Sequence, residues 1–144
     1  GPIAERLLAL GAPFLADRDP HRGEHSIEVQ LPLLQVVAPG ARIVPLAVAT
    51  GTGPEAIVAG TRLGLELRRL GTEGVPVVLA ISTDLAHYPS HEAATRVTDE
   101  LAPRIADADA SAVASTERRL RAAGIRGLAC GMCGIDPTVV GLAA

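Results

Sequence analysis

Among the residues of this chain whose side chains can bind metal ions or move protons, four stand out by their sequence setting: His25, Asp84, His87 and Cys133. Asp84 and His87 stand three apart in Ser82-Thr-Asp-Leu-Ala-His-Tyr88, directly after an apolar run that reads as a strand. In open α/β sheets ligands bind beyond the carboxyl ends of strands, which is where these two fall. An Asp and a His at this spacing can form an acid–base pair, or flank a metal ligand and orient it. The plainer alternative makes Asp84 a helix cap and His87 a surface residue.

Cys133 precedes Gly134-Ile-Asp136-Pro137, which reads as a helix start with Pro in its first turn and Asp136 as its cap. Free amides and the dipole at such a start stabilise a thiolate, so Cys133 suits ligation or nucleophilic attack better than a buried thiol does. The alternative is a small buried apolar side chain, a description that fits Cys130 better. The two form a lone C-x-x-C pair, compatible with redox chemistry or with half of a zinc site completed by His21 and His25. A redox pair of the thioredoxin type is expected just after an early strand, and this one lies late in the chain.

His25 sits in Glu24-His-Ser26, where the Glu can orient the imidazole or simply favour a helix N-terminus. The overlapping His21-Arg-Gly-Glu24-His25 matches H-x-x-E-H, the inverted zinc-protease motif. That motif needs a helix, and Pro20 and Gly23 weaken one.

The elements that must position these residues follow from periodicity. Helices are expected at 3–10, 54–70, 92–101, 109–123 and from Pro137 onward. Residues 16–23 read as a loop. Pro32 implies either a kinked helix or a break followed by a new helix. Residues 42–49 and 75–82 read as strands, the second (VPVVLAIS) apolar on both faces like a buried central strand. Strands separated by helices predict an α/β layered fold.

Composition narrows the function. The chain has 144 residues, 48% of them apolar, with one Phe, one Tyr and no Trp, so its core is aliphatic. All thirteen basic residues are Arg, scattered over a chain of net charge −3. That pattern argues against nucleic-acid binding. No run of 18 apolar residues suggests a membrane span. Two cysteines without a leader point to the cytoplasm. Both ends read as cut, so residues 1–144 are expected to be one partial domain.

Taken together, EHSIEVQLPLL, ISTDLAHY and CGIDP followed by an apolar helix resemble the Memo family, over nearly the whole chain. That family includes bacterial proteins called AmmeMemoRadiSam system protein B. The resemblance implies a fold similar to class III extradiol dioxygenases, a mixed central sheet with helices on both faces. It also implies a transition metal, iron or copper with zinc possible, held by two His and one Cys. By motif, His25 and Cys133 look like metal ligands and Asp84 and His87 like the catalytic polar groups beside them. The family's first ligand His belongs to an upstream segment this chain does not contain, and its C-terminal strand is expected to be missing too. The resemblance implies a metal-dependent oxidoreductase or dioxygenase-like enzyme, with a radical SAM protein as partner. The competing implication is a non-catalytic adaptor that binds a small molecule or phosphorylated peptide, through Arg18 or Arg22.

Overall fold

The computed structural model describes all 144 residues as six α-helices and two short 3-10 turns. It divides into two units, Gly1–Ala47 and Val48–Ala144. The first holds α1 (Pro2–Ala9), the 3-10 turns Asp19–His21 and Glu28–Gln30, and α2 (Leu31–Val37). At Pro32 the chain takes the second of the two expected courses. The turn at 28–30 ends and a new helix starts, with the proline in its first turn where no amide is needed.

The second unit holds α3 (Pro54–Thr72), α4 (His91–Ala106), α5 (Ala110–Ala122) and α6 (Ile135–Leu142). Here α6 packs on α3 and α5, and α5 packs on α4. Pro54 and Glu55 open α3, and its buried residues Ala56, Ala59, Gly60, Leu63, Gly64 and Leu70 recur at helical spacing. A methyl on Gly60 would lie 2.6 Å from the Ala143 Cβ and would overlap the Val140 carbonyl oxygen. At Gly64 it would overlap the Ala144 carbonyl. Small residues four apart thus let α6 come close against the α3 backbone. Ser90 and Asp109 cap α4 and α5, each accepting the amide of the residue three further on. An Arg119–Glu100 ion pair ties the two helices together on the outside. Inside, Val97, Leu101 and Leu120 form a buried cluster, against which Leu85, Ala86, Ile125 and Leu128 pack. Burial of each of those three large side chains contributes about 1.5–3 kcal/mol.

The expected α/β fold with a central sheet is overturned. The structure contains no strand, and the sole β-type pairing is an isolated antiparallel bridge between Leu85 and Met132. VPVVLAIS runs without a ladder, and Val78 is 90% exposed. Residues 42–49 are likewise unpaired. The physical reason is that β-branched composition suits a pleated surface but does not create one; a strand exists only when a second backbone supplies the hydrogen bonds. The core forms between helices instead. The helix at 92–101 also proves longer than expected, running through Pro103 to Ala106.

The close α3–α6 contact yields a paired prediction. Gly60→Ala should lower stability by about 1–3 kcal/mol, because overpacking outweighs the gain in helix propensity. Gly71→Ala, where a methyl meets open space, should raise it by about 0.5–1 kcal/mol. Thermal unfolding of the two variants measures both.

Candidate metal centre

The site is built on two backbone segments that enclose the α4–α5 hairpin. Residues 84–87 lead into it and residues 129–133 lead out. Their amides interlock: Ala86 N–H donates to the Gly131 carbonyl at 2.7 Å and His87 N–H to the Cys130 carbonyl at 3.0 Å. In the other direction, Ala129 N–H donates to the His87 carbonyl at 3.1 Å and Cys133 N–H to the Asp84 carbonyl at 3.2 Å. Leu85, packed on the helix cluster, and the fully buried Met132 anchor the pair to the core.

This clasp gathers three of the four residues singled out by type. One donor atom each from Asp84, His87 and Cys133 lies within 4.8 Å of the others. His87 Nε2 stands 3.6 Å from Asp84 Oδ2. The Asp84 amide donates to Cys133 Sγ at 3.3 Å, so the sulfur is held as an acceptor facing the other two groups. Thr83 fixes the next residue: its Oγ1 accepts Gly134 N–H at 3.0 Å and donates to the Asp84 carbonyl at 3.1 Å. Asp84 and Cys133 are exposed and His87 is half-buried, so the cluster opens to solvent.

The backbone around His87 is strained. Ala86 has φ of 50° and Tyr88 has φ of 69°, a left-handed region that side chains rarely occupy. Two such residues flanking one imidazole cost free energy that the clasp and the Leu85 packing must offset, a pattern typical of sites that aim a functional group. The Tyr88 ring meets His87 edge-on at 5.5 Å.

A carboxylate, an imidazole and a thiol fit a transition metal. Donors about 2.0–2.3 Å from a tetrahedral ion lie roughly 3.3–3.8 Å apart, so small side-chain rotations would close this group around one. Imidazole with thiolate suits zinc, copper or iron, while the carboxylate adds a hard oxygen donor.

Other expected residues fall elsewhere. His25 lies in the first unit, exposed, on irregular backbone between two turns rather than in a helix. Glu24 Oε1 accepts Ser26 N–H at 2.7 Å, a bond that holds the Glu24 carboxyl below the usual carboxylate range. That bond therefore stabilises the segment above the usual carboxylate range and is lost as pH falls through the lowered value. The H-x-x-E-H match has no helix to present its histidines, since residues 21–25 pass from a 3-10 turn through a turn into irregular backbone. Arg22 is engaged with Asp19 at 3.2 Å. Asp136 is not the cap of α6; Gly134 is, and the Asp136 carboxylate accepts Gly51 N–H at 2.8 Å.

Cys130 is buried, and burial pushes its thiol up, with the Glu117 carboxylate nearby adding to the shift. Sequence reading passed over Thr83 and Glu117. The hydroxyl of Thr83, next to Asp84, was the only available hint of its part.

These features define a helical domain carrying a mixed oxygen, nitrogen and sulfur donor cluster on a backbone clasp. A family model described as Memo-like protein matches residues 2–144, and the chain belongs to that family. It is 36% identical over 109 residues to a MEMO1 family protein of Caldivirga maquilingensis, covering 74% of this chain and 37% of the relative. It is 37% identical over 105 residues to one from Methanococcoides burtonii, covering 72% and 38%. A third, from Aeropyrum pernix, is 35% identical over 130 residues, covering 89% and 42%. The chain thus spans less than half the length of these curated relatives, which include archaeal proteins and so do not support a specifically bacterial family. No solved structure matches. No helix is long and apolar enough to cross a membrane.

The two thiols should separate chemically. In metal-free folded protein at about pH 8, an alkylating reagent should label Cys133 and spare Cys130, whose thiol stays protonated to higher pH than an exposed one. Peptide mapping after labelling measures this; equal labelling of the two would contradict the burial assigned to Cys130.

Proposed function

We propose that this chain is part of a cytoplasmic Memo-like protein that binds a transition metal at Asp84, His87 and Cys133 and uses it in redox chemistry. The observation that carries the reading is the convergence of three different donor atoms within 4.8 Å on one backbone clasp. The mixed donor set suits iron, copper and zinc alike; the preference for iron or copper comes from the family resemblance. Family resemblance alone proposes His25 as a metal ligand too.

When bound, the metal would supply an electrophilic, redox-active centre. The chain's own residues do the rest. Cys133 contributes a sulfur oriented by the Asp84 amide. His87 Nε2 and Asp84 Oδ2 lie 3.6 Å apart, and with one oxygen on the metal the second Asp84 carboxylate oxygen remains free to accept a proton from an incoming molecule. Their exposure leaves room for a small molecule or a peptide to approach, and the resemblance extends the proposal to a radical SAM partner protein. The competing adaptor reading rests on Arg18 or Arg22, and Arg22 is paired with Asp19 at 3.2 Å on the surface.

Metal titration of the intact protein tests the reading, with Co²⁺ as spectroscopic probe and iron and copper quantified after anaerobic purification. The wild type should bind about one equivalent and show a thiolate-to-cobalt charge-transfer band. Cys133→Ser should abolish the band, and His87→Ala should weaken binding at least about tenfold. Unchanged metal content in both variants would sink the proposal.

A further inference from the structure

Glu117 is a carboxylate in the wrong kind of place. It lies on α5 with 3% of its surface exposed, and its Oε2 has no hydrogen-bond partner. Burying a charge this way costs free energy unless its bonds offset it. Oε1 makes two: it accepts Arg121 Nε–H at 2.8 Å and Gly131 N–H at 3.1 Å. The first neutralises the charge. The second reaches into the clasp.

The Gly131 amide belongs to the same peptide unit as the Cys130 carbonyl, which accepts the His87 N–H at 3.0 Å. Glu117 therefore holds one end of a peptide plane whose other end holds His87. Gly131's own carbonyl accepts Ala86 N–H, between Asp84 and His87. Two residues further on stands Cys133. A charge-assisted bond to a peptide N–H also polarises its carbonyl and strengthens the bond that carbonyl accepts. The fit is steric too: a methyl on Gly131 would overlap Glu117 Oε2 and lie 3.1 Å from Leu101 Cδ1. The glycine leaves the space in which the carboxylate sits.

We propose that Glu117 is the positioning residue of the donor cluster: through the Cys130–Gly131 peptide it sets the placement of His87 and Cys133 relative to each other. The inference rests on the metal-binding reading of that cluster. A carboxylate serving only the packing of α5 would be replaceable by an apolar side chain of similar length at no cost, or even with a gain in stability. A positioning residue would not be.

The test compares Co²⁺ affinity, the thiolate charge-transfer band and thermal unfolding in the intact protein. Glu117→Met keeps the volume and removes the acceptor. It should still fold, melting below the wild type because the Gly131 N–H loses its acceptor, and bind Co²⁺ about 10- to 100-fold more weakly, with a diminished band. Glu117→Gln keeps an acceptor oxygen and should recover affinity to within about threefold, whereas Gly131→Ala, which displaces the carboxylate, should resemble the Met variant. Wild-type affinity and band in a folded Met variant would overturn the inference. Should that variant not fold, wild-type affinity in Gly131→Ala overturns it instead. A wild-type protein without any band fails the metal reading itself, a result distinct from a normal wild type beside unaffected variants.

Discussion

The second unit depends on a clasp of four backbone hydrogen bonds between residues 84–87 and 129–133. Without it nothing would hold the two strained residues beside His87, and Cys133 would have no fixed relation to Asp84. Each bond contributes only about 0.5–1.5 kcal/mol net. The clasp persists because its side chains are anchored: Met132 is fully buried, and Leu85 and Ala86 pack on the cluster of Val97, Leu101 and Leu120. Hydrophobic burial fixes where the segments run, and hydrogen bonding fixes their register.

Much of the helical framework was legible in the sequence. The apolar spacing of α3 and the prolines near the starts of α2 and α3 are local signals that give local structure. The sheet was misread for the opposite reason. VPVVLAIS has every local mark of a central strand, but pairing is not a local property, and this segment has no ladder. The contact of α3 with α6 was not legible, because the glycines at 60 and 64 act through what they let approach, and nothing local in the sequence shows that.

The candidate site was legible in a different way. Residue type alone picked out Asp84, His87 and Cys133, and the fold brings those three together. Sequence could not show how, since Asp84 and Cys133 lie 49 residues apart and meet through amides that carry no side-chain signature. For the same reason Glu117 stayed hidden among ordinary helical carboxylates. Only its burial and its bond to Gly131 distinguish it. His25 stands in the first unit, and its connection to the metal rests on resemblance alone.

The clasp also closes the base of the α4–α5 hairpin, which has a consequence for how the chain acquires its site. Joining two points separated by a floppy loop of that length would carry a large entropic penalty, but here the intervening residues fold on themselves as neighbouring helices. Most of the loop is thus taken up by short-range structure before its ends meet. Donor atoms far apart in sequence become near neighbours once a fast-forming helical pair has docked. The contacts that assemble the cluster thus fall within one stretch of the chain, residues 83–134.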